Sequence, residues 1–189
     1  MRGWTAWRGI SAAVRLALVR VDWAVVYRET YADLVRFLHR KVWDADQAHD
    51  LAQESFARAL EHDPDSPRAF VFTIAANLAR DEARAALRRK KHLTLIKAEV
   101  AAVAKVAEVA EGREREELVR SALAQLSERD REALLLWDAG FNYGEIARQT
   151  GLAQGAIGTT LARARKKLVE AYEAQQGQER QERRGSRRL

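Results

Sequence analysis

The sequence predicts an all-α protein: two small helical domains joined by a linker, the second a helix-turn-helix domain. Three observations lead there. Only two prolines and ten glycines stand among 189 residues, while the strong helix formers Ala, Leu, Glu and Arg abound. Apolar residues recur three and four apart over most of the chain. Cap residues and glycine stops punctuate that periodicity at short intervals.

Composition also removes whole classes of function. Hydrophobic residues make up 47% and charged residues 32%, enough apolar surface for real cores and too many charges for a membrane protein. No run approaches the roughly 20 apolar residues of a spanning helix, so membrane insertion is not expected. The absence of cysteine excludes disulfides, thiolate metal sites and a Cys nucleophile, and fits the reducing cytoplasm expected as its location. A net charge of +6 favours a polyanionic partner such as nucleic acid. His39, His49, His62 and His92 are scattered without metal-ligand spacing, and no phosphate-binding loop or nucleophile elbow is present. The acidic residues fall at helical spacing beside Arg and Lys, as on solvated helix faces. No catalytic residue, metal or cofactor is therefore expected, and the chain does not read as an enzyme.

Residues 1–20 place Trp4, Trp7, Ile10, Val14 and Leu18 at helical spacing among Arg2, Arg8, Arg15 and Arg20. Arg15 interrupts the apolar run and no cleavage site follows, against a signal peptide. A basic amphipathic helix is one reading. The expected one is a true start near Val19 or Val21, with this extension dispensable. A first domain then spans residues 21–91. Its first helix buries Tyr27, Tyr31, Leu34, Val35, Leu38 and Val42. Asp44 with Gln47 caps a second helix, which buries Ala48, Leu51, Ala52, Phe56, Ala59 and Leu60. Between positions 44 and 63 six acids face one base, Arg58, so its outer face is strongly negative. Residues 62–67 form a loop, with Ser66 as N-cap and Pro67 at the first position of a third helix. That helix runs to about Lys91 with Phe70, Ile74, Leu78 and Ala85 inward. Thr73, Asn77, Arg80, Arg84 and Arg88 make another stripe. An arginine stripe is usually a solvated face, but this one mixes groups that read base edges with groups that bind phosphate.

Residues 92–112 are a low-complexity linker, although Ile96, Val100, Val103 and Ala107 keep helical spacing. The second domain spans 113–174. Leu118, Ala122 and Leu126 face one side of its first helix. Ser127 and Asp130 cap the next, whose core includes Leu134 and Trp137 and which Gly140 ends. Asn142 with Glu145 caps a short helix from Tyr143 to Thr150. A last helix starts near Gln154 and buries Ile157, Leu161, Ala164, Leu168 and Tyr172. Residues 175–189 are Gln, Glu and Arg with glycine, which predicts a disordered basic tail.

Residues 143–160 carry the marks of a helix-turn-helix. Ala147 is small where two helices cross, Gly151 supplies the left-handed turn, and Ile157 buries the second helix against the first. An ordinary helical hairpin is the bland alternative. Arg163, Arg165, Lys166 and Lys167 follow on a surface suited to phosphate.

Four segments in order then resemble an extracytoplasmic-function sigma factor, the smallest kind of bacterial RNA polymerase sigma subunit. D-L-A-Q-E-S-F at 50–56 resembles the family's polymerase-binding helix. S-P-R-A-F-V-F-T-I-A-A-N-L-A-R-D-E-A-R at 66–84 resembles its segment for melting and reading the minus-ten element. L-S-E-R-D-R-E-A-L at 126–134 and G-A-I-G-T-T-L-A-R-A-R-K-K-L at 155–168 resemble its minus-thirty-five-reading domain. The resemblance implies that Asp50, Gln53 and Glu54 contact the clamp helices of the largest subunit of core RNA polymerase. It implies that Asn77 bonds to bases while Arg80, Arg84 and Arg88 hold the backbone of promoter DNA, with strand opening by capture of an unstacked base. Phe70 and Phe72 are candidates for stacking or for core, with core favoured for Phe70. In the recognition helix Gly158, Thr159 and Thr160 replace the long cations usual in the family. Thr159 and Thr160 remain candidates for base or phosphate contact, with Arg163 and Lys166 on phosphate. An anti-sigma factor is a further partner the resemblance implies.

Two other classes stand beside this one. A stand-alone helix-turn-helix regulator would bind operators without polymerase, but has no use for the acidic helix at 44–63. A helical interaction protein that binds no DNA would make the arginine stripe and the helix-turn-helix coincidences.

Overall fold

The computed structural model describes residues 21–96 and 110–186, and among them every regular element is helical. In chain order these are α1 (Trp23–Val42), α2 (Ala45–Ala59), α3 (Pro67–Ile96), α4 (Ala110–Ala124), α5 (Glu128–Asp138), α6 (Tyr143–Thr150), a 3₁₀ turn (Gln154–Ala156) and α7 (Ile157–Ser186). The Trp4–Leu18 stripe and the linker positions Val100, Val103 and Ala107 lie outside the described residues.

Local chemistry sets most boundaries. The Asp22 carboxylate accepts from the Ala24 and Val25 N–H groups at the head of α1. Asp44 accepts from Gln47 N–H at α2, and Ser127 from Asp130 N–H at α5. Asn142 and Glu145 form a reciprocal capping box at α6. Each such cap is worth about 1 kcal/mol. Gly140 at φ +86° and Gly151 at φ +70° take the left-handed turns that end α5 and α6, where a Cβ would be strained. After Gly140 the Phe141 N–H bonds back to the Leu136 carbonyl at 3.1 Å, closing the turn.

The first domain is a three-helix unit in which α1, α2 and α3 pack on one another. Its centre is Leu34, Phe37, Leu38, Ala48, Ala52, Phe56, Val71, Phe72 and Ala75. The second packs α4, α5 and α6 against the start of α7, around Leu126, Leu136, Ile146, Ile157 and Leu161.

Several expectations change. The buried face of α3 is Val71, Phe72, Ala75, Ala76 and Ala79, whereas Phe70, Ile74, Leu78 and Ala85 are only half-buried. Phe72 is the core residue, packed between Phe37 and Phe141. Phe70 sits at the edge, its ring against His62. Leu60 is not core: it is 57% exposed. Trp137 lies outside the core on Tyr143, with the Arg165 guanidinium over its ring. α3 runs past Lys91 to Ile96, and α4 begins at Ala110. α7 continues to Ser186, so helix replaces the disorder expected over residues 175–186. Gln, Glu and Arg are good helix formers, and Gln175 donates to Ser121 of α4 at 2.9 Å.

Candidate nucleic-acid and polymerase interfaces

The negative face of α2 forms as its spacing dictates. Asp50, Gln53 and Glu54 are all exposed because Ala48, Ala52, Ser55, Phe56 and Ala59 fill the inward positions. Glu54 accepts from Arg58 Nε at 2.7 Å, an i,i+4 pair that orients the carboxylate at small energetic cost.

The α3 stripe is only partly free. Asn77 is exposed and its side-chain carbonyl accepts from Arg80 Nη1 at 3.0 Å. Arg84 is exposed and paired with Asp81 at 3.7 Å, a surface contact of little worth. Arg88 is exposed. Arg80 differs: it reaches the second domain, with Nε at 3.3 Å from Glu128 and Nη2 at 3.6 Å from Glu132.

Those contacts belong to an interface that sequence reasoning missed. Lys41 Nζ donates to Glu132 Oε2 at 2.9 Å, with side chains only 14% and 6% exposed. Burial pushes the Lys41 ammonium below the usual lysine range, although Glu132 pulls it back up. Arg68 lies over the rings of both Phe72 and Phe141. It also donates to Asp33 at 3.1 Å and to the Ala139 carbonyl. Arg40 pairs with Asp138, and Phe72 meets Phe141 edge to face at 4.8 Å. The two domains are thereby closed on each other through one shared apolar core. A faint signal existed in the sequence: Phe141 follows a glycine stop with no place in its own helix pattern.

In the second domain the helix-turn-helix marks hold. Gly151 makes the left-handed turn, Ile146 and Ile157 are fully buried, and Ala147 is half-buried where α6 meets the 3₁₀ turn and α7. Thr159 is exposed, its hydroxyl donating to the Ala156 carbonyl at 2.9 Å. Thr160 corrects the expectation. It is 5% exposed, pointing into the domain, so it has no access to a groove. Arg163 donates to Asp130 at 2.7 Å, tying α7 to α5. Burial alone would raise the Asp130 carboxyl, but bonds from Arg163 and Ser127 outweigh it and hold the group below the usual aspartate value. Lys166 is exposed, with Glu170 at 3.8 Å.

Among the described residues no His, Asp and Glu cluster could hold a metal. No helix there is long and apolar enough to cross a membrane.

Comparison with known proteins assigns both halves. Residues 26–90 match Sigma-70 region 2, and residues 116–168 match Sigma-70, region 4. The chain is 33% identical over 158 residues to the ECF RNA polymerase sigma factor SigL of Mycobacterium tuberculosis, covering 80% of this chain and 86% of that one. It is 36% identical over 131 residues to the ECF RNA polymerase sigma factor EcfG of Rhodopseudomonas palustris, covering 66% and 71%. Among solved structures, the sigma factor RpoE of Bartonella quintana in complex with the anti-sigma factor NepR superposes with a TM-score of 0.61. That match has 25% identity and covers 80% of this chain and 97% of the other.

Proposed function

This chain belongs to the extracytoplasmic-function family of RNA polymerase sigma factors, and on that premise we propose how its surfaces divide the work of transcription initiation. The α2 face of Asp50, Gln53 and Glu54 docks on the clamp helices of core polymerase. Asn77 reads a base of the minus-ten element, while Arg80, Arg84 and Arg88 hold the backbone as the strands part. Thr159, Arg163 and Lys166 serve the upstream element, mostly through phosphate; Thr160 is left out because it is buried. Residues 21–91 and 113–174 act as the two working domains. The protein works in the cytoplasm, without catalytic residues or cofactor, as a specificity subunit. By likeness to the Bartonella structure, an anti-sigma factor is a further partner.

The observation that carries this reading is the order of the two matched regions, with Asp50, Gln53 and Glu54 all exposed on the first. A stand-alone operator binder has no use for that acidic face. The test is co-purification with core polymerase and run-off transcription from the DNA upstream of its own gene, with Glu54→Lys alongside. The variant is expected to keep its fold, because Glu54 is exposed, and to lose polymerase affinity. Equal affinity for the two proteins would remove Glu54 from the docking face.

A further inference from the structure

The first turn of α7 is poor in groups that could hold DNA. Gly158 has no side chain, Thr160 is 5% exposed, and the Thr159 hydroxyl already donates to the Ala156 carbonyl. One turn on, Arg163 is drawn to Asp130 at 2.7 Å. In a helix-turn-helix the N-terminal residues of this helix meet base edges while the preceding helix crosses the backbone. Here that first turn holds no uncommitted donor.

Tyr143, the first residue of α6, reaches the same place from the neighbouring helix. A Cβ at Gly158 would lie 3.6 Å from Tyr143 Cε2 and 3.8 Å from its hydroxyl oxygen. The ring therefore lies against the start of α7, where position 158 has no side chain of its own. Trp137 of α5 packs on the same ring with centroids 5.3 Å apart, and the Arg165 guanidinium lies over Trp137 in turn at 5.4 Å. Contacts from two helices thus fix the ring, yet the residue remains 41% exposed. A tyrosine packs its ring and leaves its hydroxyl for a polar partner, and among the described residues nothing bonds to this hydroxyl. The surroundings are basic. Arg148 on α6 and Arg165, Lys166 and Lys167 on α7 are all exposed, while the acid at the head of α6, Glu145, is occupied by the capping box. A neutral donor held among cations suits a phosphate oxygen, and tyrosine is among the side chains that make such contacts.

We propose that Tyr143 is a promoter contact: its hydroxyl donates to a backbone phosphate of the upstream element, at the place position 158 leaves open, with Trp137 and the Gly158 backbone setting the angle of the ring. The proposal rests on the reading that α7, with Lys166, faces that element. A ring fixed in advance adds its bond at little entropic cost. Because the hydroxyl carries no charge it releases no counterion, so its share of the affinity does not depend on salt.

Tyr143→Phe removes the hydroxyl and keeps the ring, so the packing on Trp137 and Gly158 stays. The full chain assembled with core polymerase is titrated against promoter DNA at several salt concentrations, with Lys166→Ala alongside. Tyr143→Phe is expected to bind about tenfold more weakly, as the loss of a hydrogen bond to a charged group implies, with an unchanged salt slope. Lys166→Ala should instead flatten the slope by about one. A second arm locates the bond by placing a neutral methylphosphonate at each position of the upstream element in turn. At one position the losses from the methylphosphonate and from Tyr143→Phe should overlap instead of multiplying. Wild-type affinity in Tyr143→Phe, with the flatter slope in Lys166→Ala, would overturn the contact and leave the reading of α7 standing. Wild-type behaviour of both variants would overturn that reading as well. Losses that multiply at every phosphate, or a loss already present with core polymerase in the absence of DNA, would take the hydroxyl off the DNA and overturn the proposal.

Discussion

Removing Glu132 should open the molecule without unfolding either domain. Glu132 is the counter-ion of Lys41 at 2.9 Å and the two side chains are only 6% and 14% exposed. Breaking a buried pair from one side costs about 3–5 kcal/mol, because the remaining charge stays desolvated. Here the molecule can escape that cost by separating its domains and returning Lys41 to water. The closed-to-open ratio should therefore fall by roughly two to three and a half orders of magnitude, at about 1.4 kcal/mol per factor of ten. Within α5 itself Glu132→Ala is favourable for helix formation. The assay is energy transfer between dyes on Ala32→Cys and Ala162→Cys, both exposed positions on opposite domains. Transfer should drop in Glu132→Ala and recover in the apolar pair Lys41→Met with Glu132→Leu, since such replacements are commonly neutral or stabilising. A pH signature accompanies it. Lys41 is depressed in the closed form, so the open form binds more protons and closure strengthens as pH rises toward the ordinary lysine value. Glu132→Ala should accordingly re-close on going from pH 7 to pH 10. Unchanged transfer at pH 7, or a double variant as open as the single, would refute this account of the interface.

Three further outcomes follow from the site geometry. Asn77→Ala should alter base preference at one promoter position by about 1–3 kcal/mol, whereas Arg84→Ala and Arg88→Ala should weaken binding to all sequences and each flatten the salt slope by about one; titrations against a panel of promoter variants separate the two patterns, and uniform losses for Asn77→Ala would end its base-reading role. Gly158 has only the Tyr143 ring 3.6 Å from where its Cβ would stand, an ordinary contact, so Gly158→Ala should stabilise by about 1 kcal/mol, raising Tm by about two to four degrees, while a fall in Tm would mean that the close approach matters. Asp130 is held below its ordinary value of 3.8, so its contribution is present above that pH and fades as pH falls below it; the Tm gap between wild type and Asp130→Asn should be widest at neutral pH and close below about pH 4, and a gap constant with pH would contradict the assignment.

What sequence could disclose was what is decided locally. Asp44, Ser127, Asn142 and Gly151 each act on a backbone within a few residues, and each does in the structure what its type and spacing predict. The low-complexity stretch at 92–112 divides the sequence into two domains, and the family motifs say what each half resembles. The α3 face departs from its apolar periodicity because that helix is covered from more than one side, by α1, α2 and the second domain. Its inward stripe is then mostly alanine, which carries less periodic signal than Phe70 or Ile74. Hydrophobicity alone puts Leu60 and Trp137 in the core, yet both are among the exposed large apolar residues. The interface was illegible for another reason. Arg68 meets Asp33 and Phe141, 35 and 73 positions away, and nothing in local spacing says which arginine of 33 basic residues will cross between domains. Three candidate DNA contacts changed status on that account or through packing: Arg80 is engaged by Glu128 and Glu132, Arg163 by Asp130, and Thr160 is inside.

Arg80 cannot serve two masters. Its Nε and Nη2 face Glu128 and Glu132 while Nη1 bonds to Asn77, so a phosphate at this place must displace carboxylates held by the second domain. Promoter DNA and domain closure therefore compete, and DNA binds the open form better, which is the only way a ligand shifts such an equilibrium. Salt acts on both sides of that competition. It weakens phosphate contacts through counterion release, but it also screens the exposed pairs that help closure, Arg40 with Asp138 and Arg80 with Glu128. More open molecules at higher salt offset part of the lost affinity. The wild type should consequently show a shallower dependence of promoter affinity on salt than Glu132→Ala, which is already open and registers its phosphate contacts in full. Titrations of both proteins at four salt concentrations, with the dye pair recording closure in the same samples, decide the matter. Equal slopes with unequal closure would mean that the interface and the DNA do not contend for Arg80.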